Sequence, residues 1–184
     1  ITQMSRKDWR SYVRTITQDP FLFSDTIFEN VKFGAKQQAQ SADDLDVNQV
    51  LKLSQLSEDI QRFVAGDQTL VGEKGIMLSG GQKQRLSIAR ALLTPSDLII
   101  MDNVLSAVDY ETERIILKGV FNRIQGQSLL VVSHRVSALE YMDKILVLEH
   151  GEIIARGTHT QLLDSSAYYR ETWELQQHES ETPT

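Results

Sequence analysis

The amino-acid sequence predicts an α/β fold with a mainly parallel sheet and a helical subdomain, and three observations carry that prediction. Residues 98–101, 128–133 and 144–148 are short, largely apolar runs, the pattern of strands covered on both faces. Between and before them lie apolar residues at helical spacing, with Leu86, Ala89, Leu92 and Leu93 forming the clearest stripe. Strands that alternate with helices need crossover connections, and those connections make neighbouring strands parallel. Of the 184 residues, 41% are hydrophobic and 24% charged, a balance that supports a folded core.

Taken in order, residues 1–14 mix charge with helix-like spacing, and 12–17 read as a short strand ending at Gln18-Asp19-Pro20. Pro20 pushes Asp19 out of the helical region, so the chain turns there. Ser24, Asp25 and Thr26 offer a cap for a helix that carries Ile27, Phe28 and Val31. Residues 36–46, rich in Gln, Ser and Asp, read as a flexible loop, and 47–63 as one helix with Val50, Leu51, Leu53, Leu56 and Ile60 to one side. Five glycines between 66 and 81 mark a second loop. A helix begins near Ser79 and stops before Pro95. Beyond the 98–101 strand, a helix over about 111–123 leads to the 128–133 run. A short helix over 136–141 leads to the 144–148 run. His150-Gly151-Glu152 is a turn that returns Ile153-Ile154-Ala155 as a hairpin partner. Residues 160–177 read as a helix that then dissolves into polar sequence.

A net charge of -6 argues against a broad nucleic-acid-binding face. The absence of cysteine excludes a disulfide scaffold, a zinc ribbon and a thiol nucleophile. No apolar run approaches the ~20 residues that span a bilayer, and residues 1–14 lack the apolar centre of a secretory signal. A membrane role therefore has to come through a partner or through sequence outside this chain.

Leu78-Ser79-Gly80-Gly81-Gln82 stands where the glycine-rich loop becomes a helix. A serine hydroxyl, two glycines and the free amides of a helix start suit an anion, and the same residues suit a plain helix cap. The continuation, Gln82-Lys83-Gln84-Arg85-Leu86-Ser87-Ile88-Ala89-Arg90-Ala91-Leu92, separates the two: the stretch resembles the signature motif and following helix of ATP-binding cassette (ABC) proteins. The resemblance extends from about residue 14 to about 174. Leu98-Ile99-Ile100-Met101-Asp102 resembles the Walker B strand, where a carboxylate at a strand's C-terminal end holds a hydrated Mg²⁺. Alone, an aspartate ending a strand at a turn has the same pattern. Ser106-Ala107-Val108-Asp109 resembles the D-loop, which crosses between two cassettes, and Ser133-His134-Arg135 the switch histidine that contacts the γ-phosphate. A single histidine at a strand end is otherwise more often structural. Gln18 resembles the Q-loop glutamine, which touches Mg²⁺ or water and couples to a membrane domain.

The resemblance thus implies ATP and Mg²⁺ as cofactors. The nucleotide-binding residues would be Gln18, Ser79, Gly80, Gly81, Gln82, Asp102, Asp109 and His134; Gln18 and Asp102 would meet the metal, and Asn103 and His134 hold catalytic positions. It divides the chain into a helical subdomain over about 20–94, a Walker B to switch-histidine core over about 95–160, and a C-terminal helix and tail over 161–184. Val71-Gly72-Glu73-Lys74-Gly75, the stretch from Asp19 to Phe23 with Thr26-Ile27-Phe28-Glu29-Asn30, and Gly157-Thr158-His159-Thr160-Gln161-Leu162-Leu163 resemble exporter-type cassettes. The partners implied are a second nucleotide-binding domain, held head to tail, and the coupling helices of a transmembrane domain against the Gln18 and Glu73 regions. No nucleic acid is implied, and the location is the cytoplasmic face of a membrane.

Two departures shape the expectation. No Gly-x-x-x-x-Gly-Lys-Ser/Thr occurs, so nothing in this sequence wraps the β- and γ-phosphates. The chain reads as the C-terminal part of a partial P-loop NTPase fold, its P-loop strand absent. Alone it is expected to be unstable, through opened strand edges, and inactive toward ATP. The second departure is Asn103, which stands where the family places a glutamate and has no proton-accepting carboxylate. Losing a general base costs ~10²–10⁴ in rate. A metal-ligand or structural role fits Asn103 as well. An intact signature beside a weakened Walker B resembles the degenerate half of a heterodimeric multidrug exporter, which implies ATP-driven export of drugs or lipophilic compounds. Two other readings fit the same residues: a non-hydrolysing nucleotide-sensing module, and a soluble ABC ATPase without transport.

Overall fold

A computed structural model describes residues 5–36, 47–73, 75–124 and 126–181. The loop expected over 36–46 lies outside the described residues from 37 onward. The chain divides into two compact units, Ile1–Val132 and Ser133–Thr184.

The first unit is built on a parallel sheet of β1 (Val13–Ile16), β2 (Leu98–Asp102) and β3 (Ser128–Val132), with β2 in the middle. A short helix α1 (Arg6–Tyr12), capped by the Ser5 hydroxyl, precedes β1. Between β1 and β2 run α2 (Ile27–Lys36), α3 (Val47–Leu53), α4 (Ser57–Gln61) and α5 (Gly80–Leu93), and α6 (Tyr110–Arg123) crosses from β2 to β3. The expected cap of α2 is Thr26, whose hydroxyl accepts from Glu29 N–H at 3.0 Å. Helix α5 packs against α2, α3 and β1. Its Leu86, Ile88 and Leu93 are fully buried, as are Ile27 and Val31 of α2 and Val50 of α3.

The single helix expected over 47–63 is two helices. Gln55 takes a left-handed φ of 54°, and Leu56 N–H bonds back to the Leu51 carbonyl at 2.9 Å, which ends α3. The carbonyl of Gln55 is then held by the Arg85 guanidinium of α5, a contact no local pattern encodes. The 128–133 run, read as buried on both faces, is covered on one: Leu130 and Val132 of β3 are 51% and 50% exposed. Among the described residues no strand pairs with the outer edge of β3.

The second unit holds an antiparallel hairpin, β4 (Ile145–Glu149) and β5 (Glu152–Gly157), turned by His150 and Gly151 at φ 50° and 83°. The short helix expected over 136–141 is a 3₁₀ turn, Val136–Leu139. The C-terminal helix is two, α7 (His159–Ser165) and α8 (Ala167–Glu181), because Ser166 leaves helical backbone with an extended φ and ψ. Val136, Ile145, Val147, Leu162 and Tyr169 form this unit's core. Here too the two-sided burial expected of 144–148 fails, since Leu146 and Leu148 of β4 are exposed; Ile153 and Ile154 of β5 are exposed as well. Among the described residues, no helix is long and apolar enough to cross a membrane.

Candidate functional site

The N-terminus of α5 is a reciprocal capping box. Ser79 has extended backbone, its Oγ accepts from Gln82 N–H at 3.2 Å, and Gln82 Oε1 accepts from Ser79 N–H at 2.9 Å. The same Gln82 amide donates from Nε2 to Asp59 Oδ1 at 2.9 Å, and Asp59 Oδ2 pairs with Arg85 Nη2 at 2.9 Å. Gln82 is therefore committed to bracing the turn against α4. Capping uses a lone pair of the Ser79 hydroxyl and leaves its O–H free to donate. Gly80 and Gly81, as the first helical residues, have amides with no intrahelical acceptor. The cap and the anion receptor that the bare Ser79-Gly80-Gly81 motif allows are thus compatible in one turn, with Ser79 and Gly80 exposed.

The segment 106–109 lies directly on this turn. A Cβ at Gly81 would stand 2.8 Å from the Ala107 carbonyl oxygen, closer than side-chain carbons approach backbone, whereas one at Gly80 would meet Ala107 Cβ at 3.6 Å, an ordinary contact. Gln84, one turn into α5 and 4% exposed, accepts on Oε1 from Ala107 N–H at 3.1 Å. Its Nε2 donates to Ser106 Oγ at 3.3 Å and to the Gln18 carbonyl at 3.2 Å. Asp109 caps α6, accepting on Oδ1 from Thr112 N–H at 2.9 Å. Hydrogen bonds from the Thr112 backbone and then its side chain hold the Asp109 carboxyl below the usual carboxylate range.

Ile16 and Met101 are in register, so the backbone leaves β1 toward Gln18 and β2 toward Asp102 and Asn103 at the same C-terminal edge of the sheet. Gln18 and Asp102 are exposed there. Asn103 has a left-handed φ of 49° and donates its N–H to the Val132 carbonyl at 2.8 Å, a conformation asparagine tolerates better than most residues. Among the described residues no group of three or more His, Cys, Asp or Glu is gathered as a metal cage. One carboxylate and one amide oxygen at a sheet edge suit Mg²⁺, which keeps waters and takes its other ligands from phosphates.

His134 belongs to the second unit and is exposed. Its carbonyl accepts from Gln176 Nε2 at 2.9 Å, Gln176 Oε1 accepts from Val136 N–H at 2.8 Å, and Ser133 Oγ accepts from Arg135 N–H at 2.9 Å. The histidine segment is thus held by α8. Sequence reasoning missed Gln84 and Gln176 as residues that fix the candidate loops. Neither had a local signal: Gln84 lies off the Leu86, Ala89, Leu92 and Leu93 stripe, and Gln176 lies in a polar stretch. The Glu73 turn is exposed, and Gly75 approaches the Leu70 carbonyl so closely that any Cβ would overlap it. Phe21 and Met77 are 71% and 75% exposed.

Comparison with known proteins gives the family and the fold. The sequence profile of the family described as "ABC transporter" matches residues 1–106. The chain is 42% identical over 180 residues, 98% of its length, to the multidrug resistance-like ATP-binding protein MdlA of Escherichia coli (strain K12), covering 30% of that protein. It is 42% identical over 177 residues, 96% of its length, to the probable multidrug resistance ABC transporter ATP-binding/permease protein YheI of Bacillus subtilis (strain 168), again covering 30%. A solved structure of a bacterial Atm1-family ABC exporter with ATP bound matches with a TM-score of 0.84 and 33% identity, over 96% of this chain and 30% of that one. The chain therefore spans 30% of the length of these relatives.

Proposed function

This chain belongs to the ABC transporter family, and on that premise we propose that it forms part of the nucleotide-binding domain of an ATP-driven exporter of drugs or other lipophilic compounds. The carrying observation is the Ser79 turn, capped and braced yet exposed, with the 106–109 segment seated on it. In a head-to-tail pair of cassettes, Ser79 O–H and the first amides of α5 would donate to the γ-phosphate of a nucleotide held by the partner domain. Gln18, Asp102 and Asn103, at one sheet edge, belong to this chain's own site, and the family resemblance alone assigns His134 its catalytic role. Mg²⁺ brought with ATP would meet Asp102 and Gln18 and neutralise phosphate charge. Asn103 can orient a water but accept no proton, so this site turns over slowly and the partner's carries the flux. The pair is on this reading a heterodimer at the cytoplasmic face of a membrane, with coupling helices against the Gln18 and Glu73 regions. Residues of about 20–94 act as the helical subdomain and about 95–160 as the core.

The test is the full-length protein that carries this chain, reconstituted with its partner half in vesicles. ATP-dependent accumulation of a lipophilic dye is the expected result. ATP binding with neither turnover nor transport would replace this reading by nucleotide sensing, and turnover without any membrane-spanning region in the full-length protein by a soluble ATPase.

A further inference from the structure

We infer that Gln84 is a positioning residue that fastens the 106–109 segment to the Ser79 turn and to the Gln18 loop, so that the three move as one body when nucleotide is engaged. The inference rests on the functional reading above and adds to it a residue and a route of coupling.

Gln84 is a polar residue in the buried part of α5. Its neighbours on α5, Leu86 and Ile88, are 0% exposed, and Gln84 itself is 4% exposed. A buried amide is costly unless it is hydrogen-bonded, so an apolar residue would be the simpler filler. Here both amide protons have acceptors, Gln18 O and Ser106 Oγ, and the amide oxygen has a donor, Ala107 N–H. The partners lie 66, 22 and 23 residues away in sequence. One side chain thus cross-links three segments that meet only in the folded protein.

The 106–107 peptide is held from two sides. Gln84 takes the Ala107 N–H, and the Ala107 carbonyl rests where Gly81 leaves room for it. Two residues later Asp109 is fixed as the cap of α6. Ser79, Gly80, Ser106, Ala107 and Asp109 are all exposed. The turn and the segment therefore present one joint surface whose internal spacing is set by Gln84. A displacement of the Gln18 loop reaches Ala107 through that amide. For groups that must meet a phosphate, a misplacement of ~1 Å costs on the order of 10²-fold in rate.

The experiment uses the full-length protein assembled with its partner half. Gln84→Leu fills similar volume and removes all three bonds. Its kcat for ATP turnover is expected to fall about 10–100-fold with KM for ATP nearly unchanged, and hydrogen exchange at the Ala107 amide to accelerate at least about tenfold as the opening becomes easier. A role confined to stability would lower the melting temperature and leave kcat of the folded enzyme intact, and that result overturns the inference. Unchanged exchange at Ala107 overturns it too. If Gln84→Leu does not fold, Ser106→Ala asks the question from the other side: a severalfold loss of kcat with faster exchange at Ala107 supports the link, and wild-type values for either reject it. Ser79→Arg serves as the reference. If it leaves turnover untouched, the exporter reading fails, while the exchange at Ala107 still judges the clamp.

Discussion

Arg90 of α5 reaches across to Asn30 of α2, donating from Nη2 to its Oδ1 at 2.9 Å and from Nε to its carbonyl at 2.8 Å. A third bond runs from Nη1 to the Phe21 carbonyl at 2.9 Å, and the guanidinium lies 5.7 Å from the Phe23 ring. Asn30 is wholly buried and in turn binds Phe23 through both its N–H, accepted on Oδ1 at 2.9 Å, and its carbonyl at 3.0 Å. The loop after Gln18 is therefore tied to the signature helix by two side chains, and burial lowers the Arg90 pKa because its charge has left water.

A lysine keeps that charge and loses the fork that reaches three acceptors at once. Arg90→Lys should lower the stability of the full-length protein by about 2 kcal/mol, and Asn30→Ala by about 3 kcal/mol, since it takes one of three acceptors from the Arg90 guanidinium and leaves the Phe23 N–H and carbonyl without their partner. Denaturant midpoints read both. A lysine variant as stable as the wild type would mean that charge alone holds the loop.

The two glycines of the turn should part company. Gly81→Ala drives a Cβ to 2.8 Å from the Ala107 carbonyl, a backbone atom that yields only if the 106–109 segment moves. A cost of about 1–3 kcal/mol is expected. Gly80→Ala meets only an ordinary contact at 3.6 Å and should be neutral or stabilising by up to about 1 kcal/mol through helix propensity. Melting curves without nucleotide isolate these terms, and equal effects at the two positions would remove the packing argument.

How far the sequence could lead follows from where each determinant sits. Helix α5 was legible because its cap, its glycines and its stop at Pro95 are local. The break at Gln55 was not, because Arg85, 30 residues away, holds its carbonyl. The strands β3 and β4 were found and their burial overstated: an apolar run records composition and does not say which neighbour covers Leu130 or Leu148. At the candidate site Ser79 announces itself as a cap, whereas Asp109 was legible only through the 106–109 resemblance and its capping of α6 appears in the structure. The left-handed φ of Asn103 and the partners of Gln84 and Gln176 depend on chain segments far away and leave no local pattern.

Asp109 supplies a pH test. Its folded pKa is depressed by the bonds from Thr112, so the cap contributes fully above the unfolded carboxylate pKa of about 3.9. That contribution is lost as pH falls through the lower folded value. Asp109→Ala should cost about 1 kcal/mol at pH 7, and the gap to the wild type should narrow below about pH 4. Asp109→Asn keeps a capping acceptor without the charge and should fall between Asp109→Ala and the wild type at pH 7. A gap for Asp109→Ala that stays constant from pH 7 to pH 3 would show that the carboxylate charge contributes nothing to the cap.

The last prediction ranks Ser79 against Asn103 in the assembled full-length protein. Because Ser79 is both the cap of α5 and the proposed donor to a phosphate, a useful substitution must keep one role and remove the other. Ser79→Asp does so: a carboxylate caps a helix as well as a hydroxyl, yet it places negative charge where the phosphate is to dock. Folding should be preserved and ATP turnover should fall ~10²–10³-fold. Asn103→Ala loses a side chain suited to φ 49° and is expected to cost about 1 kcal/mol in stability. It has no general base to remove, so steady-state turnover should stay within about threefold of the wild type, far from the ~10²-fold loss typical of a missing base. Steady-state ATPase rates and melting temperatures of the two variants decide the ranking. If Asn103→Ala collapses turnover while Ser79→Asp leaves it intact, the flux runs through this chain's own Walker B site, and the division of labour between the two halves is the reverse of the one proposed.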